Sequence, residues 1–115
     1  MLKLSVLPFL FVALNPQPPV QTPQTSGAKP IEFKRTVVPL VKKYCVGCHA
    51  GPKAADGIDL TKFKTQADVD KNLRLWRKVG REVGEGHMPP SSAAQPNAKD
   101  RKTIVDYCNG LKKPQ

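Results

Sequence analysis

Apolar residues recur at helical spacing in three stretches of the chain. Phe33, Val37, Leu40, Val41 and Tyr44 form the first stripe and run directly into Cys45, which predicts a helix whose apolar face enters the core. Pro39, lacking a backbone N–H, kinks that helix or marks its true first turn. Leu73, Trp76, Val79 or Gly80, and Val83 make a second stripe, in a segment beginning near Gln66 and ending at Gly84 or Gly86. In the third, Ile104, Cys108 and Leu111 fall at i, i+4 and i+7. Asn97 is placed to cap that helix with Asp100 in its first turn, and Gly110 or Pro114 closes it. Asp56-Gly57 signals a turn, and the short apolar alternation Ile58-Asp59-Leu60 after it reads as a loop draped over one face of the interior. No stretch shows a convincing period of two and no internal repeat is visible, so the expected fold is all-α.

The first thirty residues do not follow this pattern. After Met1-Leu2-Lys3, the stretch Leu4 to Leu14 is an apolar run of 11 residues broken only by Ser5 and Pro8, the form of a signal-peptide h-region. A membrane span needs about 20 apolar residues, so the run is too short to cross a bilayer. Asn15 to Pro30 holds five prolines and three glutamines with almost no apolar content, a linker composition prone to extended conformations. The expected organisation is therefore an export segment (1–14), a Pro/Gln-rich linker (15–30) and one small domain (31–115), in a protein working in the periplasm or otherwise outside the cytoplasm.

A domain of that size buries only roughly 60% of its unfolded surface and gains from a cofactor or metal in its core. Its 6% aromatic content leaves volume for a large planar apolar group. Lysine and arginine outnumber aspartate and glutamate by 19 to 9, a net charge of +10, which favours acidic partners. The basic residues are scattered with no run longer than two and no recognition motif accompanies them, which argues against nucleic-acid binding.

Chemistry concentrates in Cys45-Val46-Gly47-Cys48-His49. Cys-x-x-Cys-His is the spacing for covalent haem attachment. Two thiols lie close enough to add to the two vinyl groups on one porphyrin edge, and the adjoining imidazole reaches the iron. Cys45 and Cys48 would give the thioethers and His49 the proximal bond, with haem c as the cofactor. A second ligand is offered by Gly84-Glu85-Gly86-His87-Met88-Pro89-Pro90, which holds the sole methionine besides Met1. Pro89 keeps Met88 out of the helical region, and Gly86 allows close backbone approach. Histidine with methionine is the ligation that raises reduction potential in electron-carrying cytochromes. His87 competes for the same position, but adjacent residues of an extended segment face opposite ways, so Met88 is the expected ligand and bis-histidine ligation by His49 and His87 the alternative.

In this order of motifs, residues 31 to 112 resemble the planctomycete-type mono-haem cytochrome c domains within the class I cytochrome c group. The resemblance rests on Val38-Pro39-Leu40 running into the Cys-x-x-Cys-His motif, Gly57-Ile58-Asp59-Leu60, the Trp76 helix, Gly86-His87-Met88-Pro89-Pro90 and the capped last helix. It implies an α-helical fold around one covalent haem, attached at Cys45 and Cys48, with His49 and Met88 as axial ligands, serving extracytoplasmic electron transfer. Two positions depart from the pattern: Tyr107 stands where tryptophan is common, and Cys108 is an extra thiol.

The expected function is single-electron carriage, with no enzymatic activity of its own, between redox proteins whose docking surfaces are acidic. Lys42, Lys43 and Lys53 flank the attachment motif as candidates for steering them. Three rival readings remain open: a haem sensor in which Met88 gives way to a small ligand, an electron-entry subunit of a dehydrogenase, and a structural zinc module built from Cys45, Cys48, His87 and Cys108. Cys108, on the apolar stripe of its helix, reads as a small buried hydrophobe.

Overall fold

The computed structural model describes residues 2, 8–19 and 29–112. Helices are the only regular elements among the described residues. A π-helical turn, Phe33–Val37, leads into α1, Val38–Tyr44. Two 3₁₀ turns, Ala55–Gly57 and Leu60–Lys62, shape the following loop. Then come α2, Gln66–Asp70, α3, Leu73–Gly84, and α4, Ala98–Asn109.

The expected first helix is thus two segments. Pro39 sits in the first turn of α1 and has no N–H to return to the carbonyl four residues earlier, so the wider π turn precedes it. The segment expected to run from Gln66 to Gly84 or Gly86 also divides. Thr65 and Asp68 form a reciprocal capping box at the start of α2. Its continuation is broken at Asn72, whose side-chain Nδ2 donates to the Asp68 carbonyl at 3.0 Å while its backbone leaves the helical region at φ −133°, ψ 40°. The third helix follows its sequence signals closely. Asn97 Oδ1 accepts from the Asp100 N–H at 2.8 Å, and Gly110 caps the other end, with Leu111 lying beyond it.

Every buried side chain among the described residues lies between Phe33 and Cys108. Trp76 is the hub. Phe33 from the π turn and Phe63 from the loop each pack edge-on to it at 5.3 Å between ring centroids, and Tyr107 of α4 stands 6.3 Å away. Four separate stretches of chain therefore meet at one aromatic cluster, a geometry in which ring edges meet ring faces. Tyr107 also donates its hydroxyl to Gln66 Oε1 at 2.7 Å, tying α4 to α2. Among the described residues Trp76 Nε1 meets no hydrogen-bond acceptor.

Helices α3 and α4 come close together at Gly80, where an added Cβ would stand 2.4 Å from Cys108 Cβ. Cys108 is 1% exposed and fills the space that Gly80 leaves, the small buried hydrophobe expected from its helical position.

Leu2 and the described apolar residues Phe9, Leu10, Phe11, Val12 and Leu14 are exposed. The expected export segment and linker fall partly outside the described residues, at 1, 3–7 and 20–28, as does Pro114. No described helix is long and apolar enough to cross a membrane.

Two outcomes follow from this packing. Gly80→Ala forces α3 and α4 apart and is expected to cost ~1–3 kcal/mol, read as a lower urea midpoint at unchanged slope. Burial raises the Cys108 thiol from 9.0, and the Tyr107 phenol from 10.0, to about 12 in each case. The folded chain thus keeps protons that the unfolded chain has already released. The stability linked to both groups is complete below pH 9 and is lost as pH rises toward 12. Urea midpoints measured on the two sides of pH 9 should fall with increasing pH.

Candidate functional site

The end of α1 builds the first wall of the site. The Val41 carbonyl accepts from both Cys45 N–H (2.9 Å) and Val46 N–H (3.1 Å), and the Cys45 carbonyl accepts from Cys48 N–H (3.2 Å) and His49 N–H (3.0 Å). These bonds curl Cys-x-x-Cys-His into successive turns, which bring both thiols and the imidazole to one side. The loop beyond is pinned back onto the motif: Ala55 N–H donates to the Cys48 carbonyl at 2.8 Å and Leu60 N–H to the His49 carbonyl at 2.9 Å. Asp56 and Gly57 take left-handed φ values of 53° and 69° at the intervening bend, the conformation their Asp-Gly signal predicts.

That return places the Ile58 carbonyl 3.2 Å from His49 Nδ1. A carbonyl only accepts, so Nδ1 carries the hydrogen and Nε2 of the neutral ring keeps its lone pair. The bond thereby fixes the tautomer and restrains the ring, as outer hydrogen bonds do for ligating histidines.

The facing wall comes from the end of α3. Gly86, at φ 76°, lets His87 N–H reach the Glu82 carbonyl (2.9 Å) and Gly86 N–H reach the Val83 carbonyl (3.2 Å), the paired bonds of a Schellman motif. Met88 N–H shares the Glu82 carbonyl at 3.2 Å, so Met88 is held at a fixed offset from α3. The Met88-Pro89 peptide is cis, and Pro89 is buried.

Between these walls lies a cavity of about 440 Å³, within the range for cofactor-sized ligands. Cys45, Cys48, His49 and Met88 all line it, with Ile58, Leu60, Leu75, Val79 and Val83 as apolar walls and Lys43, Asp56, Lys78 and Glu82 as its charged members. Leu75, Val79 and Glu82 repeat at i, i+4 and i+7, one face of α3.

His87 is not among the cavity-lining residues. Its Nδ1 lies 3.3 Å from Glu82 and 3.4 Å from Glu85 carboxylate oxygens, with 63% of the side chain exposed. Among the described residues no three histidine, cysteine or acidic side chains are grouped to hold a metal, so Cys45, Cys48, His87 and Cys108 are not assembled as a zinc set. Burial pushes the Cys45 thiol up to about 11. The donors that do converge are two thiols, an imidazole nitrogen and a thioether. Lys42, Lys43 and Lys53 are exposed, and of these Lys43 reaches the cavity with its Nζ 5.1 Å from the Tyr44 ring centroid.

Several contributors are not marked as site residues by any sequence motif. Tyr44, in the cavity wall, donates its hydroxyl to Asp100 Oδ2 at 2.7 Å and joins α1 to the start of α4. Gln95 and Arg101 bond to the backbone around Met88. The partners of Tyr44 and Arg101 are set by the tertiary fold, whereas Thr65-x-x-Asp68 is a local spacing that marks the start of α2.

No protein-family model, curated protein or solved structure matches this chain.

The three thiols differ in environment, and alkylation should separate them. In the chain carrying no attached group, exposed Cys48 is expected to react first. At about pH 8 only about one Cys45 in a thousand is thiolate, so it should follow much more slowly. Buried Cys108 should react only after denaturant is added. Peptide mass spectrometry over a time course reads the order, and Cys108 labelling first would contradict it.

Proposed function

We propose that this chain is a mono-haem c-type cytochrome, similar to the planctomycete-type domains, that carries single electrons outside the cytoplasm and has no enzymatic activity of its own. The observation that carries this reading is the convergence of Cys45, Cys48, His49 and Met88 on one largely apolar cavity, with His49 Nδ1 engaged by the Ile58 carbonyl and Nε2 left free.

The residues fit haem c by the chemistry of the donor set. The thiols of Cys45 and Cys48, held in consecutive turns, are the two attachment points. His49 Nε2 and the Met88 sulfur, one from each wall, would hold the iron. When bound, the haem supplies a one-electron iron couple. The chain does the rest. Ile58, Leu60, Leu75, Val79 and Val83 exclude water and keep the local dielectric low. The Ile58 carbonyl holds the His49 ring in register, and the Schellman end of α3 holds Met88, so both ligands stay in place as charge changes. No general acid or base is needed, since no proton or group is transferred.

The excess of basic residues, with Lys43 and Lys78 at the cavity and Lys42 and Lys53 exposed nearby, suits an acidic redox partner. Encounter with it should slow as salt rises. The positively charged start and apolar run of residues 1–14 support export, which haem attachment to reduced thiols also requires.

The test is the visible spectrum, oxidised and reduced, of the protein co-expressed with a cytochrome c maturation system, beside Met88→Ala and His87→Ala. The expected result is a low-spin c-type spectrum whose methionine–iron(III) absorption disappears in Met88→Ala and persists in His87→Ala. A spectrum altered only in His87→Ala would make the ligation bis-histidine. Protein without haem would end the proposal.

A further inference from the structure

The loop that carries Met88 has little backbone structure of its own. Pro89, Pro90 and Pro96 have no N–H to donate, and among the described residues Ala93 N–H to the Pro90 carbonyl, at 2.9 Å, is the sole backbone bond within 89–96. Its upstream end is fixed by the Schellman turn of α3. The downstream end is fixed by a side chain. Gln95 Nε2 shares its two hydrogens among three carbonyls of the loop, Pro89 at 3.1 Å, Pro90 at 2.9 Å and Ala93 at 3.2 Å.

The other end of the same amide is also engaged. Gln95 Oε1 accepts from Arg101 Nη2 at 3.1 Å, and Arg101 Nη1 donates to the Val83 carbonyl at 2.6 Å, at the end of α3. The amide has one orientation consistent with these partners, since three carbonyls face its nitrogen and a guanidinium its oxygen. The guanidinium also sits at the negative end of the α3 dipole, a favourable place for a cation. A closed circuit results. It runs from α3 through Met88 and the prolines to Gln95, across to Arg101 on α4, and back to α3. Pro96 is buried and restricts the Gln95 backbone to extended conformations, so the bracket is itself held.

We propose that Gln95, braced by Arg101, is the positioning residue that keeps the Met88 loop closed on the cavity, and that it governs how readily Met88 yields its place to a small external ligand. This inference rests on the reading of Met88 as an axial ligand. Exchange at that position exposes the Met88 sulfur, and the loop must move out as the external donor moves in. The three carbonyl bonds oppose that movement in the closed state and are lost in the open one. Loss of roughly 1 to 1.5 kcal/mol of net hydrogen bonding corresponds to about a tenfold change in the opening equilibrium.

The experiment titrates the haem-loaded full chain with imidazole, following loss of the methionine–iron(III) absorption, for wild type, Gln95→Ala, Gln95→Glu and Gln66→Ala. Gln95→Glu keeps an oxygen for Arg101 but has no N–H for the carbonyls. Gln66→Ala removes the bond to Tyr107 and weakens the fold without touching the loop. Imidazole should bind about tenfold tighter to both Gln95 variants and unchanged to Gln66→Ala. Unchanged affinity in Gln95→Ala, or an equal gain in Gln66→Ala, overturns the proposal. Wild-type affinity in Gln95→Glu alone also overturns it, because the carbonyl bonds would then have no part. Hydrogen exchange of the peptide spanning 86–96 supplies a readout independent of haem. It should be faster in full-length Gln95→Ala than in wild type, and equal rates would sink the clamp. A wild type that holds no haem fails the functional proposal, while the exchange measurement still decides on Gln95.

Discussion

The close approach of α3 and α4 at Gly80 sets the rotation of α3, and α3 serves two purposes at once. Trp76, Gly80 and Val83 face the core, at i, i+4 and i+7. Leu75, Val79 and Glu82 have the same spacing one residue earlier, a turn of about 100° around the helix, and line the cavity. Any side chain at position 80 would lift α3 away from Cys108 and tilt the cavity wall with it. Trp76 adds a second lock, since its ring is held by Phe33 from one stretch of chain and Phe63 from another.

From that fixed helix, each site residue is placed by a short backbone device. Met88 follows the Schellman end of α3, and Cys45 to His49 follow the frayed end of α1, where single carbonyls accept two N–H groups each. His49 is then oriented from a third place, the Ile58 carbonyl. Helix ends are suited to this because their last carbonyls need partners in any case. Satisfying them with the next few N–H groups fixes the residues that follow without any additional secondary structure.

This division explains what the sequence made legible. The stripes through Phe33 and Val37, through Trp76 and Val83, and through Ile104 and Cys108 are local periodicities, and all of these residues are buried. Asn97 as a cap, Gly86 as the left-handed residue before Met88, and the Asp56-Gly57 bend are equally local. The break at Asn72 was hidden because the apolar period runs through it, and only the Asn72 side chain competing for the Asp68 carbonyl interrupts the helix. Within the site, Cys45, Cys48, His49 and Met88 could be named from two short motifs. Arg101, Tyr44 and Asp100 could not, because each acts on a partner that the packing of α4 brings to it, and Gln95 could not, because its bonds to carbonyls of its own loop follow no sequence motif.

The core and the cavity are best understood as one object. Among the described residues the core cluster holds ten buried apolar or weakly polar side chains, whereas Ile58, Leu75, Val79 and Met88 pack against them and remain only half-buried. All four of the latter line the cavity, so part of the surface they leave open faces it. Apolar area of this kind stabilises a fold by ~25 cal/mol per Å² once it is covered. A group seated there would complete the core as well as perform chemistry, and in a domain this small that contribution is a large share of the total. Attachment through Cys45 and Cys48 would make the contribution permanent, because a covalently held group cannot leave when the loop around Met88 opens. Under the proposed attachment, the small domain would keep its core even where the Met88 loop opened.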